Sequence, residues 1–146
     1  NVFPKLGENY VKTGKVKLVS EPMAFIGPDS VKGAEAALAA AKQNHYWGYY
    51  YLLFANQKTE NSGYVTQSFL NDLAQKTPGL DVSRWKSALS DPSLAKKLEQ
   101  VQKKASAEKV NSTPTLIVEG PKGRKKLVGL HDYKSVSSAI KQVGGS

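Results

Sequence analysis

The most restrictive feature of this sequence is an abrupt change of hydrophobic period late in the chain. From Val31 to Ala105 apolar residues recur at helical spacing. Thr115-Leu116-Ile117-Val118 and Lys126-Leu127-Val128 then read as two short strands, joined by the turn residues Gly120-Pro121-Lys122-Gly123. Asp132 can cap a last helix that buries Tyr133, Val136, Ile140 and Val143, and Gly144-Gly145-Ser146 supplies its stop. At the other end, Phe3, Leu6 and Tyr10 stand at helical spacing, with Pro4 near the start. After Gly14, Lys15-Val16-Lys17-Leu18-Val19 alternates polar and apolar as a strand does. The predicted order is helix, strand, about five helices, a β-hairpin and a helix, which is an α/β domain.

Within the helical stretch the punctuation is clear. Asp29 or Ser30 can cap an alanine-rich helix running to Gln43, with Ala34, Ala37, Leu38 and Ala41 on one face. Trp47, Tyr50, Tyr51 and Phe54 fall at i, i+3, i+4 and i+7, which predicts Trp47, Tyr50 and Phe54 in the core and leaves Tyr49 exposed. Thr66 and Asp81 can cap the next two helices, burying Phe69, Leu70 and Leu73, then Trp85, Ala88 and Leu89. Asp91-Pro92 joins a cap to a first-turn proline and opens a long helix carrying Leu94, Leu98, Val101 and Ala105.

Composition narrows the chemistry. A chain of 146 residues, 40% hydrophobic and 23% charged, fits one soluble domain of ordinary size. No apolar run approaches the ~20 residues that cross a bilayer. Residues 1–20 show no cleavable export signal; if the protein is exported, this sequence is its mature part or a piece of it. A net charge of +9 permits anionic partners without demanding one, because the lysines are spread along the chain. The absence of cysteine is sharper. It excludes disulfides, thiol nucleophiles, thiolate metal sites and iron–sulfur ligation within these residues.

Several segments together resemble the DsbA-like thiol–disulfide oxidoreductases, which carry a thioredoxin fold with a helical insertion. Ser112-Thr113-Pro114-Thr115 runs straight into a strand and resembles the family's cis-proline segment. Asn9 to Val16 resembles the end of the first helix and the approach to the second strand. Gln43 to Phe54, with Tyr46-Trp47 and Leu53-Phe54, is similar to an insertion helix. Gly79-Leu80-Asp81 followed by Trp85, and Ala107 to Thr115, complete the match. The resemblance implies a single domain over residues 1–146, with 1–28 and 110–146 as thioredoxin core and 29–109 as the all-helical insertion. It also implies a first, central strand and a Cys-x-x-Cys pair that are missing here, since Asn1 to Leu6 resembles the latter part of the first helix. In the family that pair sits at a helix N-terminus, where the dipole and unpaired N–H groups lower a thiol pKa. The residue before the cis-proline pairs with the substrate backbone as a β-bridge. By resemblance the substrate-binding residues are Thr113 and Pro114, and no catalytic residue is present. Implied partners are unfolded or cysteine-containing exported polypeptides, outside the cytoplasm of a bacterium. The missing strand would leave open sheet edges, so either a strand-swapped or intimate homo-oligomer, or an upstream segment that supplies the strand, is expected.

The remaining chemistry-bearing residues have plainer readings. His45 and His131 lack metal-ligand spacing, so neither a metal nor another cofactor is expected. Asp29, Asp81, Asp91 and Asp132 fit helix caps better than acid–base catalysis. Lys122, Arg124, Lys125 and Lys126 form a basic hairpin tip, more simply solvated than bound to nucleic acid, and no nucleic-acid partner is expected. Two further function classes stay open beside the oxidoreductase: a non-catalytic peptide-binding or assembly module, and a cationic domain that holds to anionic polymers.

Overall fold

A computed structural model describes residues 2–144, which form two compact units, Asn1–Glu21 with Lys109–Ser146, and Pro22–Glu108. Gly145 and Ser146, read as part of the final helix stop, lie outside the described residues.

The unit Pro22–Glu108 consists of five helices: α2 (Pro28–Ala41), α3 (Tyr46–Ala55), α4 (Gln67–Lys76), α5 (Val82–Ala88) and α6 (Pro92–Ala107). The local caps explain most of the boundaries. Thr66, Asp81 and Asp91 each accept a backbone N–H from the first turn of α4, α5 and α6, from Phe69, Arg84 and Ser93 respectively. α2 differs. Pro28 occupies its first turn and sets φ there, so the helix starts earlier than a cap at Asp29 or Ser30 requires. Asp29 is buried inside that turn, and its carboxylate accepts the Gly63 N–H at 2.8 Å.

α2 is the axis of this unit, touching α3, α4, α5 and α6. Ala36, Ala37, Ala39 and Ala40 are all buried, so burial wraps further round the helix than one amphipathic stripe predicts. Short side chains let the neighbouring helices approach closely. Into the space they leave comes Trp85 from α5, which is fully buried and donates its indole Nε1–H to the Ala36 carbonyl at 2.9 Å. Tyr49 stacks on Trp85 with ring centroids 5.5 Å apart, and its hydroxyl donates to the Leu70 carbonyl at 3.0 Å.

This reverses the sequence reading of α3. Tyr49 is fully buried, whereas Trp47 and Phe54 are 44% and 53% exposed. α3 is apolar almost all round, so spacing alone does not fix which face turns inward. The decision falls to the polar handle of Tyr49, which reaches a carbonyl acceptor inside the core. Burial pushes its phenol well above the ordinary range, keeping the hydroxyl protonated as a donor.

The other unit begins with α1 (Val2–Leu6), which continues as a π-helical turn over Gly7–Val11. An antiparallel hairpin follows, β1 (Thr115–Gly120) with β2 (Gly123–Val128), and then α7 (Tyr133–Val143). Residues opposite each other in this ladder share a face. Leu116, Val118 and Leu127 pack with Leu6, Tyr10, Val136 and Ile140 into a small core. Gly120 is required where the hairpin meets α7, because a Cβ there would lie 2.4 Å from the Val143 carbonyl oxygen. Asp132 caps α7, and Gly144, at φ 110°, ends it in the left-handed conformation.

The expected strand over 15–19 is not a strand. Its alternation is real, with Val16 and Leu18 half-buried and Lys15, Lys17 and Val19 exposed. Among the described residues, however, the sheet holds only β1 and β2. Period-two patterning reports which side chains face a core, while a strand also needs a backbone partner. Lys15 and Val16 instead donate their N–H groups to the Tyr10 carbonyl.

The aromatic pair makes a direct prediction for stability. Tyr49→Phe removes the hydroxyl's bond to the Leu70 carbonyl and is expected to cost about 0.5–1.5 kcal/mol. Trp85→Ala is expected to cost about 3–5 kcal/mol, and Trp47→Ala well under 1–2 kcal/mol because its ring is half in water. Urea unfolding of the three variants checks the order, and a larger loss for Trp47 than for Trp85 would contradict this core.

Candidate functional site

The residues singled out by sequence meet at the entrance to β1. Thr113 and Pro114 are both exposed, and the peptide bond between them is cis. Two hydrogen bonds strap this loop. The Thr115 hydroxyl donates back to the Ser112 carbonyl at 2.7 Å, and the Gly129 N–H donates to the Pro114 carbonyl at 2.8 Å. Gly129 has φ 86°, a conformation that favours glycine, which lets the chain leaving β2 fold back on the loop. The site is therefore a loop held between the start of one strand and the end of its neighbour.

In the turn Gly129-Leu130-His131, Leu130 escaped the sequence reading. Leu130 is the most exposed large hydrophobic residue among those described, at 92%, and Val128 beside it is 57% exposed. The available signal was an apolar residue wedged between a strand-ending glycine and the helix-capping Asp132, where solvated turns usually place polar side chains. The His131 Nε2 lies 3.1 Å from the Val128 carbonyl, so this imidazole is engaged in the turn. His45 stands at the start of α3, in the other unit.

On the far side of the loop, Lys109 has φ 53°, and its carbonyl accepts the Lys126 ammonium at 3.2 Å. Register places Lys126 opposite Ile117 and Val128 opposite Thr115, on the sheet face away from the small core. Arg124, on the same face, is paired with Glu119 at 2.9 Å.

Other clusters carry less chemistry. An open groove of about 270 Å³ in the helical unit is lined by Ala24, Val31, Glu35, Ala95, Leu98 and Glu99. Hydrogen bonding from Lys103, at 2.6 Å, holds the Glu99 carboxyl below its ordinary value, so it is ionised near neutrality and poorly suited to donate a proton. The outer face of α3 bears Trp47, Tyr50 and Phe54 in a row, Trp47 edge-on to Tyr50 and Tyr50 tilted against Phe54, with centroid separations of 5.7 Å and 4.6 Å. Among the described residues, no helix is long and apolar enough to cross a membrane.

Comparison with known proteins agrees with the geometry. The family model described as thioredoxin matches residues 1–142. A probable disulfide bond formation protein D of Bacillus anthracis is 33% identical over 122 residues, covering 82% of this chain and 56% of the relative. Disulfide bond formation protein D of Bacillus subtilis is 24% identical over 144 residues, covering 97% of this chain and 63% of the relative. The chain thus spans little more than half the length of these curated relatives. Among solved structures, Proteus mirabilis ScsC in a compact conformation superposes with a TM-score of 0.75 at 20% identity, covering 97% of this chain and 72% of that one. Oxidised BdbD of Bacillus subtilis gives 0.73 at 22%, covering 97% and 76%.

The Asp132 cap beside this site is pH-sensitive in a defined direction. Its hydrogen bonds with the Ser135 side chain and backbone hold the carboxyl below its ordinary value, aided by Lys134 and His131. A lowered folded-state value means the cap stabilises fully above the unfolded value near ~3.9 and fades as pH falls through the folded value. Hydrogen exchange at the Ser135 and Val136 amides is expected to separate the parent from Asp132→Ala at neutral pH. The two should converge as pH falls below the ordinary carboxylate range, and a gap undiminished by acid would contradict this cap.

Proposed function

This chain belongs to the thioredoxin family in its DsbA-like branch, and from that premise we propose that it is the substrate-docking scaffold of a thiol–disulfide oxidoreductase acting on exported proteins outside the cytoplasm. In this reading Thr113 offers its backbone to an extended, cysteine-containing polypeptide, and Pro114 holds the loop in the shape that receives it. The single observation that supports it most is the exposed Thr113–Pro114 loop, strapped at Ser112–Thr115 and Pro114–Gly129. A loop fixed on a strand end presents its backbone without an ordering cost at the moment of binding. Residues 1–28 and 110–146 form the docking core in this reading, and 29–109 the insertion. The cysteine pair that exchanges disulfides is supplied by sequence outside these 146 residues.

The absence of cysteine favours a second reading, a non-catalytic peptide-binding module of the same fold. The half-exposed aromatic face of α3 also suits it, since aromatic surface recruits unfolded chains.

Two measurements separate these readings. In the intact natural gene product, two thiols appearing on reduction under denaturing conditions would support the oxidoreductase. A product of 15.8 kDa without thiols would support the binding module. Independently, a reduced, unfolded, cysteine-containing polypeptide is expected to bind the 146-residue chain. Pro114→Ala should weaken that binding by on the order of tenfold, the loss of one or two backbone hydrogen bonds. A parent chain that binds no unfolded polypeptide would end both readings.

A further inference from the structure

α3 turns one side into the helical unit and leaves an aromatic side in water. Tyr49, fully buried against Trp85, fixes its phase. At about 100° per residue, Trp47, Tyr51 and Phe54 leave the helix about 140–160° round from Tyr49, on the opposite side. These three residues are between 44% and 62% exposed. Tyr50 meets both Trp47 and Phe54 with its ring, which ties the row into one ridge. α3 carries no charged residue, and no acidic residue occurs between Glu35 and Glu60.

Shape, area and composition decide what such a ridge can meet. It is convex: the open groove of this unit is lined from α2 and α6, and the α3 backbone serves its own helix. Peptide docking draws on a groove or a free sheet edge. Half-exposed rings of this size offer roughly 300 Å² together, against the ~800 Å² per partner of a stable protein interface. A second copy of the chain therefore gains too little from this face alone. Trp and Tyr join an apolar ring to a polar edge, which suits the boundary where lipid meets water. With 10 residues, α3 is about 15 Å long, half the ~30 Å of a hydrocarbon core, so it can lie along a bilayer but not cross it. The chain's net charge of +9 draws it toward an anionic surface, where the uncharged ridge can make the contact.

We propose that the α3 ridge is a membrane-surface contact: Trp47, Tyr51 and Phe54 enter the headgroup–acyl boundary of an anionic phospholipid bilayer, with α3 lying in its plane. The inference stands apart from the peptide-docking reading, because Thr113 and Pro114 belong to the other unit. Net charge contributes a salt-sensitive part of the attraction, and the rings a salt-insensitive part.

The test mixes the 146-residue chain with vesicles of phosphatidylcholine and phosphatidylglycerol in equal parts, and reads co-sedimentation and tryptophan emission. Emission from Trp47 should shift to the blue and be quenched by lipids brominated on their acyl chains, while the fully buried Trp85 stays silent. Phe54→Ser should lower the partition coefficient about tenfold, and Trp47→Phe should keep it within about twofold while abolishing the spectral change. Leu130→Ser, at the most exposed large apolar side chain of the other unit, should leave partition unchanged. Circular dichroism verifies that each variant keeps the fold. Binding that vanishes with added salt and ignores Phe54→Ser would overturn the ridge in favour of plain electrostatic attraction. An equal loss in Leu130→Ser would overturn it in favour of unspecific apolar adhesion. Absence of vesicle binding would overturn it outright. Phe54→Ser would then show whether the ridge serves self-association or an unfolded polypeptide instead.

Discussion

The helical unit depends on one buried hydrogen bond, from the Trp85 indole to the Ala36 carbonyl. An indole N–H has no acceptor in a hydrocarbon core, and leaving it unpaired costs about 1–3 kcal/mol. A helix carbonyl already accepts an intrahelical bond, so it can serve the indole only if the ring reaches the α2 backbone. Alanines at 36, 37, 39 and 40 make that approach possible. The thinness of α2 and the bulk of Trp85 are thus one solution to one packing problem. Tyr49 completes it by stacking on the indole and directing its hydroxyl to the Leu70 carbonyl, which links α3, α4 and α5 around the axis.

In the other unit, the same need to satisfy polar groups shapes the Thr113–Pro114 loop. Chain entering a strand after Pro114 offers a carbonyl with no ladder partner at the end of β1. Gly129 meets that need from the neighbouring strand's exit. The cost is a left-handed residue, which glycine supplies without a steric penalty. The benefit is that the loop and the Leu130 turn are fixed to each other.

How much of this was legible in the sequence follows the range of the interactions. The caps at Thr66, Asp81, Asp91 and Asp132 were readable because donor and acceptor lie within three residues. The hairpin was readable because its turn residues sit between two short β-rich runs. Asp29 was not, since its partner Gly63 is 34 residues away and Pro28 shifts the helix start. The inward face of α3 was hidden because the helix is apolar on every side, leaving its phase to Trp85 and Leu70. Residues 15–19 show the same boundary from another side: their burial pattern was local and correct, but pairing depends on a neighbour that local pattern does not specify. At the site, Thr113 and Pro114 were visible through family likeness, whereas Leu130 and Lys109 gain meaning only from hydrogen bonds that bring distant segments together.

Disulfide exchange and substrate recognition make different physical demands. The first needs a thiolate stabilised by positive potential at a helix end, and that group must come from a cysteine. Recognition needs only exposed backbone, a rigid loop and a pattern of charge and apolar surface beside it. The unit around Thr113 and Pro114 has an exposed, strapped loop and an excess of positive charge, with no cysteine in the chain. Its excess of lysine acts on both at once, since positive potential near a docking loop attracts acidic chains and also favours any thiolate brought beside it. A surface that chose a polypeptide by charge would therefore also set the electrostatic environment of any sulfur brought beside it.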